Sequence, residues 1–466
     1  MFERKIFSKL EAWKNRDHRC LVLKGPPRIG KTSVAEHFGK TAYSNYMMLD
    51  LLRDPLARRV LEENDTVDSI VDAASLYKGI DITPGKSLII LDEIHCSPLA
   101  RSKLRLFSED GRYDVIAIGS MLDVSDARLG RYRKGPNPHQ IPVGSEESLT
   151  MHPMDFEEFL LATGMKRKNI DAVRDKIRTG KALTDTESEL FDKRFAAYSV
   201  VGGLPEAVDA FVRNGANGAQ KILKEISSSY ADAISDYNSG HDVKKTQQCY
   251  CSIPRQLCDT NKRFTYARID DGGSRCSAEK YEMNMHWLER SGYCVLSRSL
   301  SALNRPLGKY TSKDAFKAYM SDSGLLMSMM SAESRVEALM GDTSFDFGAV
   351  TENAVAGCLF KCGYSLSYYR RTNGTDKMEI DSVIDCDGLV CIEVKTGAER
   401  DYPSLRKTLN DPNVSRRVIF EKGNILTDED GIEHYPLFAA AFLFPENEQI
   451  VDDSELSGMF GDPFTD

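Results

Sequence analysis

Eight residues near the N-terminus carry the clearest chemistry in this chain. Gly25-Pro26-Pro27-Arg28-Ile29-Gly30-Lys31-Thr32 fits the spacing G-x-x-x-x-G-K-[ST] of a phosphate-cradling P-loop. Glycine lets consecutive backbone N–H groups turn toward phosphate oxygens, and the N-terminus of the following helix favours the anion. In this pattern Lys31 reaches the β- and γ-phosphates and the Thr32 hydroxyl holds Mg²⁺, with Ser33 next in the helix. The ligand implied is ATP with Mg²⁺.

Hydrolysis needs a metal carboxylate and a base. The apolar run Ser87-Leu88-Ile89-Ile90-Leu91 ends in Asp92-Glu93, the form of a Walker B strand. Asp92 is expected to bind Mg²⁺, directly or through water, and Glu93 to polarise the attacking water. A third apolar run, Val115–Ile118, ends at Gly119-Ser120. Ser120 falls at the C-terminal edge of a parallel sheet, where such sheets bind ligands, and reads as a γ-phosphate sensor. Arg128, Arg131 and Arg133 are candidate arginine fingers; one acting in trans would require an oligomer.

A second constellation lies far downstream, in Met378 to Lys395. It reads as a β-hairpin. A two-residue Asp-Gly turn would pair Asp381 with Val394. A three-residue loop, Cys386-Asp387-Gly388 with Gly388 left-handed, pairs Asp381 with Glu393 and Ile384 with Val390. Only the longer loop puts Ile380, Ile384, Val390, Ile392 and Val394 on one face, so burial selects it. The other face then gathers Glu379, Asp381, Glu393 and Lys395. Two acids and a lysine on one face could bind Mg²⁺ and activate water for phosphodiester cleavage, with Glu352 on the preceding helix completing the site. The plainer alternative is a solvated face with a cross-strand Glu379–Lys395 pair.

These residues need elements to hold them. Up to Ile118 strands and helices alternate: Cys20–Lys24, Lys31–Lys40, Asn45–Asp50, a helical stretch from Thr66, Ser87–Leu91 and Val115–Ile118. That rhythm predicts a parallel sheet covered on both faces. Asp126–Gly144 reads as a loop. Polar helices follow from Met154 to about Tyr237, broken at Gly202-Gly203-Leu204-Pro205, and read as a lid over the nucleotide. Helices over Gln247–Cys258 and Ala278–Ser291, then strands at Tyr293–Ser297 and Lys309–Tyr319, suggest a winged helix. Its candidate phosphate-tracking residues are Lys244, Lys245, Lys262, Arg263, Arg268, Arg275, Arg298, Arg305, Lys309, Lys313 and Lys317.

The 466 residues are 41% hydrophobic and 28% charged, an ordinary globular composition. The net charge of −9 argues against general polyanion binding, so any DNA contact must come from a local patch. Charged residues at positions 3 to 5 argue against a secretory signal, and no run is apolar enough to cross a bilayer. The eleven cysteines lack C-x-x-C pairs. A cytoplasmic protein with reduced thiols is expected.

Taken together, Leu23–Thr32, Leu91-Asp92-Glu93-Ile94, Gly119-Ser120, Pro153–Phe159, Gly202–Pro205 and Tyr319–Leu325 resemble the prokaryotic AAA-type, archaeal-ATPase-like group. Members carry a C-terminal domain of unknown function similar to PD-(D/E)xK nucleases, and Glu352-Asn353, Asp381 and Glu393-Val394-Lys395 match that domain. The resemblance implies an α/β fold class. A P-loop core over 1–160 is followed by a helical lid over 161–240 and a winged helix over 241–335. A restriction-nuclease-like domain over 345–446 and an acidic tail over 447–466 complete it. It also implies that Pro205 sits near the adenine. His95 departs from the group, where Gln is common.

Two functions fit. In one, ATP turnover controls a DNA-binding winged helix and a Mg²⁺-dependent nuclease. In the alternative, a slow nucleotide switch binds a protein partner through an inactive nuclease-like fold.

Overall fold

The structure is a computed structural model, and it describes residues 1–119, 144–237, 241–259, 261–269, 277–330, 348–372, 377–397 and 402–447. Ser120, the three candidate finger arginines, Arg275 and the tail from residue 448 lie outside the described residues. The chain divides into two compact units, Met1–His152 with Arg290–Gly292, and Pro153–Glu289 with the remainder from Tyr293.

The first unit is built on a sheet of order β2-β3-β4-β1-β5. Its strands are β1 (Cys20–Lys24), β2 (Asn45–Asp50), β3 (Ser87–Asp92), β4 (Asp114–Ile118) and β5 (Glu146–Thr150). Every pairing is parallel. Leu21–Leu23, Leu88–Leu91 and Val115–Ile118 are all buried, as continuous apolar runs must be when helices cover both faces. Leu51, Leu61, Ile70, Ala74, Ile94 and Phe107 close over one face. The expected alternation holds, and Thr66 caps the Val67–Lys78 helix as half of a capping box. β5 had no sequence signal, since Glu146–Thr150 is polar and half-exposed at the sheet edge.

The second unit holds an eight-stranded mixed sheet of order β12-β13-β11-β10-β9-β8-β6-β7. The strands are β6 (Cys294–Leu300), β7 (Thr311–Met320), β8 (Ser367–Arg371), β9 (Met378–Asp385), β10 (Leu389–Val394), β11 (Val414–Glu421), β12 (Leu426–Thr427) and β13 (Glu433–Pro436). Here the domain reading changes. The β6–β7 hairpin, expected as the wing of a separate module, extends the C-terminal sheet, because β6 runs parallel to β8. The apolar residues Tyr293, Val295, Phe316 and Tyr319 are buried by this joining. Helices expected as a lid, Asp185–Val201 and Pro205–Tyr237, pack within the same unit against Ser323–Met329.

The break between those helices has a steric cause. Gly202 ends the first helix at φ 73°, and the Gly203 N–H donates to Asp322 at 2.6 Å while its carbonyl accepts from Met154 N–H at 2.7 Å. A Cβ on Gly203 would lie 1.9 Å from the Met154 carbonyl oxygen, so the close approach requires glycine. Gly202–Pro205 and the Tyr319–Leu325 stretch are therefore two halves of one packing joint.

Candidate functional sites

The P-loop leaves β1 at Gly25, whose φ of 140° and close pass beneath Met151 leave no room for a side chain: a Cβ would sit 2.2 Å from the Met151 carbonyl oxygen. Arg28, at φ 59°, adds a left-handed residue to the loop, and Gly30 caps the Lys31–Ala42 helix. Arg4 braces the outside, donating to the carbonyls of Ile29 at 3.2 Å and His152 at 2.8 Å. Nothing in the sequence marked Arg4, whose role depends on a fold that brings residue 4 under residue 29.

The Lys31 ammonium donates to the carbonyls of Gly25 and Pro26, both at 2.8 Å. Burial lowers it to about 8, against the pull of Glu93 and Asp92. The Thr32 hydroxyl donates to Asp92 at 3.0 Å, which brings together the two expected Mg²⁺ ligands. Burial and the neighbouring Glu93 charge raise Asp92 above its ordinary value. Asp50 stands beside Asp92 in the β2–β3 register, a third acid at this strand edge that sequence reasoning passed over. Its carboxylate accepts from the N–H groups of Leu52 and Arg53.

Glu93 leaves β3 in a left-handed backbone conformation, φ 53° and ψ 44°. Such strain in a non-glycine residue costs about 1–3 kcal/mol and clusters at functional sites. It points the side chain to the imidazole of His95, 3.2 Å away. Burial alone would raise Glu93, but His95 and Lys31 hold it below its ordinary value. Burial would lower His95, yet contacts with Cys96 and Glu93 push it up to about 9. His95 lies 3.2 Å from the expected base.

In the second unit the hairpin register is the longer-loop one, Ile384 opposite Val390. The left-handed residue of the loop is Asp387, at φ 52°, with Gly388 at φ 132°. The backbone ladder between β9 and β10 runs to Ser382 opposite Ile392, and β9 carries a bulge in its pairing with β8 between Ser367 and Tyr369. The next step of this register sets Asp381 toward Glu393, and the Asp381 carboxylate accepts from Val394 N–H at 3.1 Å. The bulge also moves Ile380 into the cluster of Val383, Leu389 and Cys391, so the expected single apolar face is replaced by two buried faces.

Glu352, Glu379 and Asp381 converge on one group, the Lys317 ammonium from β7. It lies 3.3 Å from Glu352, 3.3 Å from Asp381 and 3.7 Å from Glu379. Glu352 also accepts from the Tyr319 hydroxyl at 2.6 Å and pairs with Lys262. Asn353 grips the backbone of Met320 in both directions, so Glu352-Asn353 fastens the helix Gly348–Lys361 to β7. Glu393 pairs with Lys395 at 3.2 Å, and burial with the Asp381 charge raises it to about 7. The expected Glu379–Lys395 pair is replaced by Glu379 contacts with Lys317 and Arg370.

Five of the eleven basic residues expected on the wing are engaged inside the unit. Lys317 is 1% exposed, Arg298 makes a two-pronged pair with Glu289 at 2.7 and 2.6 Å, and Arg305 reaches Asp385 at 2.8 Å. Arg268 pairs with Asp259 and Lys262 with Glu352.

Comparison with known proteins gives the first site a context. Residues 17–160 match the model of an AAA domain. Residues 192–336 and 347–438 match two domains of unknown function, DUF8612 and DUF4143. No curated protein matches. Similar solved structures include the Walker-type ATPase of Pyrococcus abyssi, at 13% identity over 71% of this chain and 96% of that one, TM-score 0.42. The RuvB Holliday junction branch migration motor of Thermotoga maritima is 14% identical over 68% and 92%, TM-score 0.27. A signal transduction ATPase with a tetratricopeptide repeat sensor from Pyrococcus horikoshii is 14% identical over 77% and 48%, TM-score 0.24. Among the described residues no helix is long and apolar enough to cross a membrane, and no three His, Cys, Asp or Glu form a metal-holding group.

Proposed function

We propose that the chain is a Mg²⁺-dependent ATPase that works as a nucleotide-controlled switch. The Thr32–Asp92 contact at 3.0 Å, beside the Lys31 ammonium, carries the reading. It sets a hydroxyl and a carboxylate where a hard cation takes oxygen ligands. The glycine cradle at Gly25 and the Arg28–Thr32 backbone would take the phosphates, and Lys31 would leave its two loop carbonyls for them. When bound, Mg²⁺ neutralises charge on the phosphate oxygens. Glu93 accepts the proton of the attacking water, and His95 holds that carboxylate until it is released.

The switch reading is preferred to a DNA-directed nuclease on one observation: Arg268, Arg298, Arg305, Lys262 and Lys317 already neutralise carboxylates of their own unit. Charges already paired with carboxylates are less available to DNA phosphates, most of all the buried Lys317. Pro205 as an adenine contact and Ser120 as a phosphate sensor remain part of the proposal. The test is ATP turnover with and without DNA. Turnover indifferent to DNA supports the switch; strong, salt-sensitive stimulation by DNA rejects it.

A further inference from the structure

The C-terminal carboxylates invite a divalent cation, and the structure argues against one. Lys317 enters from the edge strand β7 and is buried to 1% exposure. An ammonium has three N–H groups. Lys317 has three carboxylate neighbours, Glu352 and Asp381 at 3.3 Å and Glu379 at 3.7 Å. The Tyr368 ring also lies near it, with the nitrogen 5.4 Å from the ring centroid. The carboxylate oxygens that Lys317 leaves are also taken. Glu352 Oε2 binds Lys262, and Asp381 Oδ2 accepts from Val394 N–H.

Mg²⁺ requires near-octahedral oxygen ligands at about 2.0–2.1 Å and keeps several waters. Here Lys317 and Glu352 are buried, while Asp381 and Glu379 are partly exposed, and their oxygens are turned to Lys317, Lys262, Arg370 and the Val394 N–H. A divalent ion placed among them would meet Lys317 at contact distance, with Lys262 behind Glu352. Glu393, the remaining acid of the expected set, is held by Lys395 at 3.2 Å.

We infer that Lys317 is the resident cation of this carboxylate set, so the nuclease-like unit carries its own positive charge and takes no divalent metal. The carboxylate set is then a fastening between the helix Gly348–Lys361, β7 and β9. The inference stands apart from the ATPase reading, since it concerns a different unit and is read without nucleotide.

Mn²⁺ is the probe, measured by paramagnetic resonance and calorimetry on the full chain without nucleotide. Asp92→Asn in every sample silences the P-loop metal position. With Lys317 present, the expected result is no Mn²⁺ bound that depends on Asp381. Lys317→Met should create a site for one Mn²⁺, tighter by at least about a hundredfold because the ion no longer meets an ammonium in a weakly screening interior. That site should vanish again with Asp381→Asn. Two outcomes overturn the inference: one Mn²⁺ bound in the Lys317 protein and lost with Asp381→Asn, or a folded Lys317→Met protein that binds no more Mn²⁺ than its parent. Should Lys317→Met fail to fold, the comparison of Lys317 proteins with and without Asp381→Asn decides by itself.

Discussion

Removing the buried ammonium gives a result whose size follows from the surroundings. In Lys317→Met, Glu352 keeps Tyr319 and Lys262, but Asp381 and Glu379 lose their shared cation. The Glu352 side chain is 3% exposed, so its charge has little access to water. Breaking one side of a buried pair costs about 3–5 kcal/mol, because the remaining charge is stranded. Lys262, whose side chain is 29% exposed, covers part of that loss, so about 2–4 kcal/mol is expected. Replacing Glu352 by Gln as well should recover a portion, and the double-mutant cycle isolates the coupling. The chain has two tryptophans, so a Trp13→Phe background leaves Trp287, in the second unit, to report urea unfolding. The pH dependence has a definite sign. Burial would raise Glu352, yet Lys317, Lys262 and Tyr319 lower it from 4.5 to about 2. A carboxylate with a lowered folded value stabilises above its unfolded value and loses that contribution as pH falls toward its folded one. The penalty of Lys317→Met should therefore be full near neutrality and shrink as the medium is acidified below about 4.5. A loss within the 0–1 kcal/mol range of an exposed salt bridge, unchanged by acid, would refute the reasoning.

Two further outcomes concern the P-loop unit. Lys31→Ala should weaken ATP binding at least about tenfold, because the charge that meets the β- and γ-phosphates is gone; calorimetric titration showing unchanged affinity would contradict this. His95→Ala should raise kcat by about two- to fivefold with little change in KM, since it frees and strengthens the Glu93 base. An equal fall in kcat would mean that His95 orients the base rather than restraining it.

The first unit was legible because its signals are local. β1, β2, β3 and β4 are short apolar runs with Gly25 or acidic residues at their ends, and parallel burial needs nothing more. Asp50 and Arg4 were missed because each gains its meaning from a neighbour distant in sequence. The second unit was legible only in pieces. Alternation and turn chemistry set the Ile384–Val390 register, but a bulge beside Asp381 has no composition of its own. Lys317 was the largest misreading. A lysine on a strand after a Pro/Gly turn looks like a solvated wing residue, and only the β6–β8 pairing turns it inward against Glu352. The same pairing removed the separate winged helix, since a hairpin that joins a larger sheet is no longer a free wing.

The most direct test of the ATPase proposal is steady-state ATP turnover with Mg²⁺ for the native chain and Glu93→Gln, alongside ATP binding. A general base contributes about 10²–10⁴-fold, so the variant should bind ATP as the native chain does and turn over slower by that order. A Glu93→Gln protein with native turnover, or a native chain with no Mg²⁺-dependent turnover, would contradict the assignment.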